Sequence, residues 1–333
     1  EVRYLITNSG ADAIVTEEKL WSAVANEIPA REVKALYVSG LSSTTGAINF
    51  EDELAAKKPA ANIHRARSAD AAYLVYTSGT TGYPKGVLHA HRALIGRLPA
   101  AENWFHFDGD DRILHSGKFN WTYVLGTAMM DPLYQGKTVI VYEGENSADR
   151  WISLIKKFGC NIFIGVPTIF RQILQKTTAK AEDVPTLRHC MCAGEHLTDE
   201  VLDGWISRFG FPIYEGLGMS ECSYYISQKK GDEIVKNSAG KIQPGHLVQL
   251  LDEDLKPVVA GEEGMICISR NDPGLFVEYW RAAEQTAAQF KGDWFLTGDY
   301  AIQDKNGYIF FLGRRDEIIK SFGYRVSPFE IER

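Results

Sequence analysis

Short apolar segments and amphipathic segments alternate along the middle of this chain, and this alternation restricts the possible folds more than any other feature. A buried strand is predicted for three apolar segments, RILHS, KTVIVYE and NIFIGVP. Helical periodicity separates them, over residues 123–133 and 148–158, and the pattern recurs with a strand at 187–192 and a helix at 199–209. Such alternation predicts a parallel sheet covered by helices.

The pattern changes after residue 239. Between residues 240 and 312 the apolar segments are short, are separated by turns and mostly lack intervening helices. This predicts antiparallel strands in a small barrel or sheet, and the Asn-Gly step at Gly307 is a hairpin signal. The fold class is therefore α/β, with an α/β part at 1–239 and an antiparallel β subdomain at 240–312. Elsewhere, the opening segment VRYLITNSGADAIVTEEKLWSAV predicts strand, turn, strand and helix, and residues 89–98 predict a helix.

Composition is that of an ordinary globular protein. The 333 residues are 45% hydrophobic and 24% charged, with a net charge of -7. The negative charge argues against a nucleic-acid or anionic-membrane partner, and the sequence has no run of 18 apolar residues, so we expect no membrane span. The five cysteines lack zinc or redox spacing, which favours reduced thiols in a reducing compartment, the cytoplasm.

An anion-binding loop is predicted directly after the apolar run 73–76, which has the pattern of a short buried strand. Its glycines allow close backbone approach, its hydroxyls donate hydrogen bonds and its lysine adds a positive charge. It is not a Walker loop, because Pro84 precedes the lysine and Gly86 follows it. The residues expected to bind phosphate are Thr77, Ser78, Gly79, Thr80, Thr81, Gly82 and Lys85.

The segment YTSGTTGYPKGV resembles the phosphate loop of the adenylate-forming superfamily, which includes acyl- and aryl-CoA synthetases, peptide-synthetase adenylation domains and luciferases. Four further segments resemble motifs of the same superfamily, in the same order: AGEHL, YEGLGMSEC, LTGD and GRRDEIIKSFGYRVSPFEIE. The resemblance covers nearly the whole chain. It implies a fragment without the family's extreme N-terminus and most of its mobile C-terminal domain, which would start with a hinge at 313–333.

The resemblance implies a catalytic role for Lys85 and for two residues of YEGLGMSEC. Glu221 would bind Mg²⁺, which prefers oxygen ligands, and Ser220 would lie near phosphate or the acyl carboxylate. Leu217 stands where the family most often has tyrosine, and Ser220 replaces the usual threonine but keeps its hydroxyl. His196 in AGEHL replaces a proline, and a surface or packing role is expected for it.

The other motifs imply nucleotide contacts. Asp299 would accept the ribose hydroxyls, Arg314 would contact ribose or the α-phosphate, and the backbone of AGEHL would face the adenine. Asp316 would be the hinge. The implied cofactor-binding residues beyond the phosphate loop are Gly194, Glu195, Glu215, Gly216, Leu217, Asp299, Arg314, and the pantetheine-side loop of Gly323, Tyr324 and Arg325.

The reaction implied by the resemblance has two steps. A carboxylate attacks the α-phosphorus of Mg·ATP to give acyl-AMP and pyrophosphate, and coenzyme A then takes the acyl group and releases AMP. The stretch FNWTY is closer to acyl-CoA synthetases than to peptide synthetases, although core packing of Trp121 is an equal alternative. No acidic residue stands where peptide synthetases bind an amino group, which favours a fatty, alicyclic or aromatic acid. Candidate acyl-pocket residues are Asn120, Trp121, Val124, Leu125, Gly165 and Gly216.

Two alternatives stay open: an adenylation module that loads a carrier protein, and a noncatalytic nucleotide-binding remnant. In the family, a catalytic lysine lies in the C-terminal domain, beyond the position that matches Arg333. We therefore expect this chain to bind ATP but to adenylate poorly. The sequence leaves the oligomeric state open.

Overall fold

The computed structural model describes residues 2–28, 33–42, 44, 46–60, 62–77, 83–314, 319–321 and 324–326. Within these residues the α-helices are α1 (Val2–Ser9), α2 (Glu18–Val24), α3 (Phe50–Ala56), α4 (Arg92–Gly96), α5 (Thr122–Leu125), α6 (Asp131–Tyr134), α7 (Ala148–Phe158), α8 (Pro167–Lys176), α9 (Asp199–Phe209) and α10 (Ala283–Ala288). Short 3₁₀ turns span Ala25–Glu27 and Ala181–Asp183, and π-helical turns span Ala101–Phe105 and Gly126–Met130.

The strands of the same residues are β1 (Ala13–Glu17), β2 (Ala35–Ser39), β3 (Ile48–Asn49), β4 (Ala71–Thr77), β5 (Lys85–Ala90), β6 (Arg112–His115), β7 (Thr138–Ile140), β8 (Ile162–Gly165), β9 (His189–Cys192), β10 (Ile213–Leu217), β11 (Ile226–Ser227), β12 (Gly240–Ile242), β13 (Val248–Leu251), β14 (Glu263–Ser269), β15 (Glu278–Tyr279), β16 (Phe290–Lys291), β17 (Trp294–Gln303), β18 (Tyr308–Arg314), β19 (Ile319–Ser321) and β20 (Tyr324–Val326). Among the described residues, no helix has the length and apolar composition that a membrane crossing requires.

The chain divides into two compact units, and the first contains residues 1–91 and 277–284. Its strands β1, β2 and β3 form a parallel sheet. Strands β4 and β5 form an antiparallel pair in which Thr77 lies opposite Lys85, and β15 pairs with β5 as a third strand. The two strands that flank the predicted phosphate loop are therefore paired with each other.

Helix α1 shows that the strand predicted at the start of the chain is wrong. A short apolar run such as VRYLI does not distinguish a strand from a helix by periodicity alone, and here tertiary contacts decide. Tyr4 and Asn8, one helical turn apart, both contact the rest of this unit. The Tyr4 ring stacks on Tyr83 at 4.5 Å between centroids, and Asn8 Oδ1 accepts a 2.7 Å hydrogen bond from the Tyr76 hydroxyl.

Two other predictions in this region need correction. The run 73–76 is a strand as predicted, but its residues are only partly buried. The helix predicted at 89–98 is limited to α4, because β5 continues through Ala90 and pairs His89 with Tyr73. Pairing in the sheet overrides the local helical pattern there.

The second unit contains residues 92–276 and 285–333, and one 12-stranded sheet runs through it. Its order is β7-β6-β8-β9-β10-β11-β12-β18-β17-β14-β13, with β16 paired to β17. The strands from β7 to β10 are parallel, and every pair from β10–β11 to β14–β13 is antiparallel. The fold is thus the predicted α/β combination, and the antiparallel strands form a sheet with no closed barrel among the described residues.

The parallel half is buried on both faces, as its continuous apolar strands require. On one face α7, α8 and α9 cover the sheet through Trp151, Phe170 and Trp205. On the other face the core contains Trp104 together with Ile162 and Ile164 of β8. Each fully buried side chain of this size stabilises the fold by roughly 1.5–3 kcal/mol, so both faces of the parallel half contribute to the stability of this unit.

Several predicted elements are confirmed. Helices α7 and α9 have the predicted bounds, and residues 123–133 are helical as α5, a π-helical turn and α6. The hairpin signal joins β17 to β18: Gly307 has φ +86°, and its N–H donates to the Asp304 carbonyl at 3.1 Å. The division of the chain at residues 239 and 312 stays a prediction.

Candidate active site

In the second unit, the carboxyl ends of parallel strands bring several predicted site residues to one edge of the sheet. Gly165 at the end of β8 pairs with Cys192 at the end of β9, and Cys192 in turn pairs with Glu215 of β10. Gly194 follows β9 after one further residue. Ligands bind at this edge in open α/β sheets, so the register alone collects these motifs at one location.

Glu215 lies at this edge with its backbone fixed on both sides. Its N–H donates to Gln228 Oε1 at 2.9 Å, and its carbonyl accepts from the Gln228 N–H at 2.8 Å. Burial raises the pKa of the Glu215 carboxyl group to about 8, although a backbone hydrogen bond from Leu197 opposes the shift. Glu215 is therefore largely protonated at neutral pH and is not a fixed negative charge beside a nucleotide.

Gly216 is required to be glycine because an indole ring lies where its side chain would be. A Cβ atom there would lie 2.5 Å from Cζ2 of Trp104, and Trp104 is completely buried. The indole N–H of Trp104 donates to the Tyr214 carbonyl at 3.0 Å, which fixes the ring against β10. A ligand would therefore contact Gly216 through its backbone.

The loop after β10 carries Ser220 and Glu221 and is held close to that strand. The Met219 N–H donates to the Cys222 carbonyl at 3.0 Å, and the Tyr225 N–H donates to the Leu217 carbonyl at 3.1 Å. Ser220 Oγ and Thr122 Oγ1 are 3.1 Å apart. The Glu221 side chain is buried, with 9% exposure, and its backbone carbonyl accepts from the Phe276 N–H at 2.8 Å. The hydroxyl and the carboxylate are thus presented by a loop whose backbone is well fixed.

A buried ion pair fixes the end of this loop that follows Cys222. Arg97 and Asp131 are 5% and 7% exposed, and Arg97 Nε and Nη2 donate to the two carboxylate oxygens at 2.6 and 2.8 Å. Arg97 also donates to the Ser223 and Tyr224 hydroxyls, and the Tyr224 hydroxyl donates to Asp131. Gly126 leaves the space for this network, since a Cβ there would lie 1.8 Å from Arg97 Nη2. The two residues after Cys222 are thereby anchored to the helical layer.

Trp121 covers the backbone of Gly194 at the same edge. A Cβ on Gly194 would lie 2.9 Å from Cη2 of Trp121, and Gly194 has φ +89°. The Trp121 side chain is 41% exposed, so it is not a core residue. Glu195, the next residue, accepts hydrogen bonds from Thr168 N at 3.2 Å and Oγ1 at 2.6 Å, which places its carboxylate at the N-terminus of α8.

The remaining acyl-pocket candidates differ in their surroundings. Asn120 is exposed and Leu125 is partly buried. Val124 is fully buried, next to Gly117. A Cβ on Gly165 would lie 2.8 Å from Ser116 Oγ. Asn120 and Trp121 are therefore the most accessible of these side chains.

Asp299 and Arg314 lie on two neighbouring strands of the antiparallel half. They are directly opposite in the β17–β18 register, and Arg314 Nη1 lies 3.9 Å from Asp299 Oδ1. The Asp299 N–H donates to Thr297 Oγ1 at 3.0 Å, and Gly298 between them has φ +80°, a conformation that glycine adopts easily. A buried carboxylate beside a guanidinium can accept ribose hydroxyls while the cation attracts phosphate.

The donor set of this unit fits a magnesium ion. Glu221 offers a buried carboxylate at the end of a fixed loop, and a hard oxygen donor of this kind is what Mg²⁺ takes when phosphate oxygens and water supply its other ligands. The nearby group of Cys222, His246 and Asp272 is a less suitable site. Both oxygens of Asp272 already accept hydrogen bonds from the backbone of Leu247 and Gly274 and from His246.

Lys85 belongs to the first unit, at the start of β5. Its side chain is partly buried, and Nζ lies 5.3 Å from the centre of the Tyr279 ring. Tyr83 is exposed, and Pro84 accepts a 3.3 Å hydrogen bond from the Tyr4 hydroxyl through its carbonyl. Thr77 ends β4 opposite Lys85. Several predicted site residues lie outside the described residues: Ser78, Gly79, Thr80, Thr81, Gly82, Asp316 and Gly323. For Tyr324 and Arg325, only their place in strand β20 is described.

All five cysteines are free and buried. Burial raises the pKa of the Cys160 and Cys267 thiols to about 12, and it also raises the pKa of the Cys190, Cys192 and Cys222 thiols well above the usual value. Such thiols are poor nucleophiles. The expectation of structural thiols agrees with this burial.

Several residues that pack against the candidate site were not predicted from the sequence. Trp104 and the Arg97–Asp131 pair belong to no motif, and they reach the site from helical segments far away in the sequence. Thr122 lies in FNWTY, but its contact with Ser220 was not predicted. The one usable signal was Gly216, since a glycine inside an apolar strand indicates close approach of another group.

The comparisons with known proteins agree with the geometry. The family described as "AMP-binding enzyme" matches residues 1–280 of the chain. Acyl-coenzyme A synthetase ACSM5, mitochondrial, of Mus musculus is 32% identical over 340 residues, which cover 100% of this chain and 58% of that protein. The chain therefore spans little more than half the length of this relative.

Two solved structures have the same fold over the whole chain. The anthranilate CoA ligase AuaEII in complex with anthranoyl-AMP has a TM-score of 0.89 and 28% identity, and the match covers 100% of this chain and 64% of the ligase. ATP-bound MatB from Rhodopseudomonas palustris has a TM-score of 0.88 and 27% identity, with 100% of this chain and 65% of MatB covered.

Proposed function

We propose that this chain, which belongs to the AMP-binding enzyme family, is the ATP- and acyl-binding part of an AMP-forming acyl-CoA synthetase. One observation carries the proposal: the contacts of Trp121 with Gly194 and of Thr122 with Ser220 bring three separate sequence segments together at the carboxyl edge of the parallel strands. A hydroxyl, an exposed aromatic ring and glycine backbone at one edge suit an acyl adenylate, which has a carbonyl, an acyl group and a flat base.

In the first step, a carboxylate oxygen of the acid attacks the α-phosphorus of ATP, the bond to the bridging oxygen breaks, and pyrophosphate leaves. Asp299 and Arg314 would orient the ribose and α-phosphate for in-line attack, and Ser220 would hold the acid. Positioning and charge stabilisation are the main demands of such chemistry. By resemblance, Lys85 and the hydroxyl loop from Thr77 to Gly82 would bind the outer phosphates.

Glu221 would hold Mg²⁺ in this site, where the ion neutralises phosphate charge when bound. Glu215 lies six residues before Glu221 and is a different kind of group, because its raised pKa keeps it neutral. We assign it no metal-binding role and expect its contribution to be structural.

In the second step, the thiolate sulfur of coenzyme A attacks the acyl carbonyl and AMP leaves with the electron pair. The exposed Trp121 and the glycine-lined edge favour a flat or extended acid without an α-amine, of the fatty, alicyclic or aromatic classes. An aromatic acid is consistent with AuaEII, whose structure contains anthranoyl-AMP. Loading of a carrier protein is the competing second step.

The test is ATP–pyrophosphate exchange with a panel of benzoate, cyclohexanecarboxylate, medium-chain fatty acids and amino acids. We expect exchange with members of the first three classes and none with amino acids. Adding free coenzyme A or a carrier protein after adenylation then identifies the acceptor. Binding of ATP without exchange for any acid, measured with this chain joined to a C-terminal domain of the family, would contradict the proposal.

Three further assignments belong to the proposal. We propose a reducing compartment, the cytoplasm, in keeping with the free cysteines. The hinge at Asp316 and the pantetheine-side loop at Gly323, Tyr324 and Arg325 are proposed from the sequence resemblance. We also propose that this chain, taken alone, binds ATP more readily than it completes adenylation.

A further inference from the structure

A buried tyrosine contacts the lysine that ends the predicted phosphate loop. Tyr279 belongs to β15, in the segment 277–284 of the first unit, and it is only 5% exposed. The centre of its ring lies 5.3 Å from Lys85 Nζ, which is within the distance at which an aromatic ring attracts a cation. No predicted motif contains Tyr279, so this contact joins the loop lysine to a distant segment of the chain.

The strand pairing explains why these two side chains meet. Strands β15 and β5 are antiparallel, and Tyr279 lies opposite Val87. Lys85 precedes Val87 by two residues on the same strand, so the side chains of Lys85 and Val87 project from the same face of β5. Tyr279 is then the diagonal neighbour of Lys85 on that face, a separation that aromatic and long side chains can span. The register of the sheet therefore directs the Tyr279 ring towards Lys85.

The residue after Tyr279 holds this segment against the start of β5. The Trp280 N–H donates to the Gly86 carbonyl at 2.7 Å, and the indole N–H of Trp280 donates to the Asn8 carbonyl at 2.9 Å. Gly86 is in close contact with this segment, since a Cβ there would lie 3.2 Å from the Trp280 Cβ. The backbones on either side of the ring contact are thus fixed at positions adjacent to Tyr279 and Lys85.

The ring restrains Lys85 without neutralising its charge. A carboxylate partner would cancel much of the ammonium charge, whereas the face of an aromatic ring attracts the ammonium through its quadrupole and carries no net charge. A lysine side chain loses rotamer freedom when it binds a ligand, and restraint before binding reduces this cost. A restrained ammonium group that keeps its charge suits a ligand with several negatively charged phosphate oxygens.

We propose that Tyr279 is a positioning residue that holds Lys85 in place for the outer phosphates of ATP. The inference rests on the proposed function, because it takes Lys85 to bind those phosphates. Tyr279 acts through Lys85 alone, so it supports the binding of a triphosphate and has no effect on a nucleotide that lacks the β- and γ-phosphates. It thereby raises the affinity for Mg·ATP relative to AMP.

The test compares Tyr279→Phe, Tyr279→Leu and a Tyr279→Phe protein with a fluorinated ring, all in the 333-residue chain. Calorimetry measures binding of Mg·ATP and of AMP, and thermal unfolding measures stability. Tyr279→Phe should bind Mg·ATP as the wild type does, because it keeps the aromatic face. The fluorinated ring keeps its shape but loses its negative face. This protein and Tyr279→Leu should bind Mg·ATP about 3- to 10-fold more weakly and AMP with unchanged affinity.

Two further variants separate positioning from packing. Lys85→Gln removes the charge, so adding Tyr279→Leu to it should cause no further loss of Mg·ATP affinity. Tyr308 provides the matched control, because it is also a buried tyrosine, with Lys241 Nζ 4.4 Å from the centre of its ring. Tyr308→Leu should lower the Tm but leave the affinities for Mg·ATP and AMP unchanged.

Equal Mg·ATP affinity of the wild type and the ring-fluorinated protein would overturn the proposal, even if Tyr279→Leu does not fold. Equal losses of Mg·ATP and AMP affinity would also overturn it, since Tyr279 would then support only the fold. If Lys85→Gln binds both nucleotides as the wild type does, this inference is wrong while the proposed function stands. If the wild type binds neither nucleotide, the proposed function fails as well.

Discussion

The two halves of the large sheet in the second unit present functional groups in different ways. The parallel half contributes mainly backbone and glycines at strand ends, at Gly194 and Gly216, with the indoles of Trp121 and Trp104 packed against them. The antiparallel half contributes charged side chains from within paired strands, at Asp299 and Arg314.

The difference predicts how each half responds to mutation. In the parallel half the supports of the site are also core residues, so a substitution there should damage stability and binding together. In the antiparallel half the side chains proposed to bind the nucleotide lie at a strand pair with a glycine bend at Gly298, so a substitution should damage binding more than stability. The four predictions below test this contrast, starting with the largest expected effect.

Removing the charge of Asp131 should have the largest effect. Asp131→Asn leaves Arg97 buried beside a neutral partner, and breaking one side of a buried ion pair costs about 3–5 kcal/mol. Because the pair anchors Ser223 and Tyr224, nucleotide affinity should fall as well. Urea unfolding and AMP calorimetry measure both effects. The exposed pair of Lys236 and Asp203 is the control, and Asp203→Asn should change stability by less than about 1 kcal/mol. An equally small loss of stability in Asp131→Asn would show that the Arg97–Asp131 pair does not support the fold around the site.

Filling the space at Gly216 should be the next most damaging change. Gly216→Ala places a methyl group 2.5 Å from the Trp104 ring, and overpacking of this kind costs about 1–3 kcal/mol. Gly204→Ala is the control, since Gly204, like Gly216, has no positive φ, and a Cβ there would meet only the end of the Leu174 side chain at 3.2 Å. A Gly216→Ala protein with wild-type Tm and AMP affinity would contradict the close packing.

The Glu215 carboxyl group should make stability depend on pH. Its pKa is about 8 in the folded state and 4.5 in the ordinary state, so the folded protein binds more protons between these values and stability falls as pH rises through that window. The side chain keeps partial access to solvent, so we expect a loss of about 2 kcal/mol between pH 5 and 8. Glu215→Gln should remove this dependence in pH-dependent urea unfolding. If stability of the Glu215→Gln variant changes with pH as steeply as that of the wild type, other titratable groups cause the pH dependence.

Neutralising Asp299 should separate binding from stability. Asp299→Asn should weaken AMP binding about 10-fold, since a hydrogen bond to a charged group contributes roughly 1.5–3 kcal/mol. Its Tm should fall less than that of Gly216→Ala. Calorimetry and thermal unfolding on the same samples test both statements. If Asp299→Asn instead lowers the Tm strongly and leaves AMP affinity intact, the proposed distinction between the two halves is wrong.

The sequence was a good guide to some parts of this protein and a poor guide to others. Helices α7 and α9 were predicted with their observed bounds because an amphipathic period and glycine ends specify them locally. Helix α1 was predicted as a strand because its apolar run is short and its conformation depends on contacts of Tyr4 and Asn8 with distant residues. Local signals fail where long-range contacts decide.

The candidate site divides in the same way. Sequence motifs were sufficient to propose four site residues, because chemistry restricts which side chains can bind metal, phosphate and ribose. These residues are Glu221, Ser220, Asp299 and Arg314. The sequence by itself thus determined the fold class and the family, and it supplied the residues proposed for the site. Only the tertiary structure decided what surrounds these groups: the ring of Trp104 under Gly216, the neutral state of Glu215 and the ring of Tyr279 beside Lys85. Burial, close approach and hydrogen-bond pairing are relations between residues far apart in the chain, and local sequence patterns do not record them.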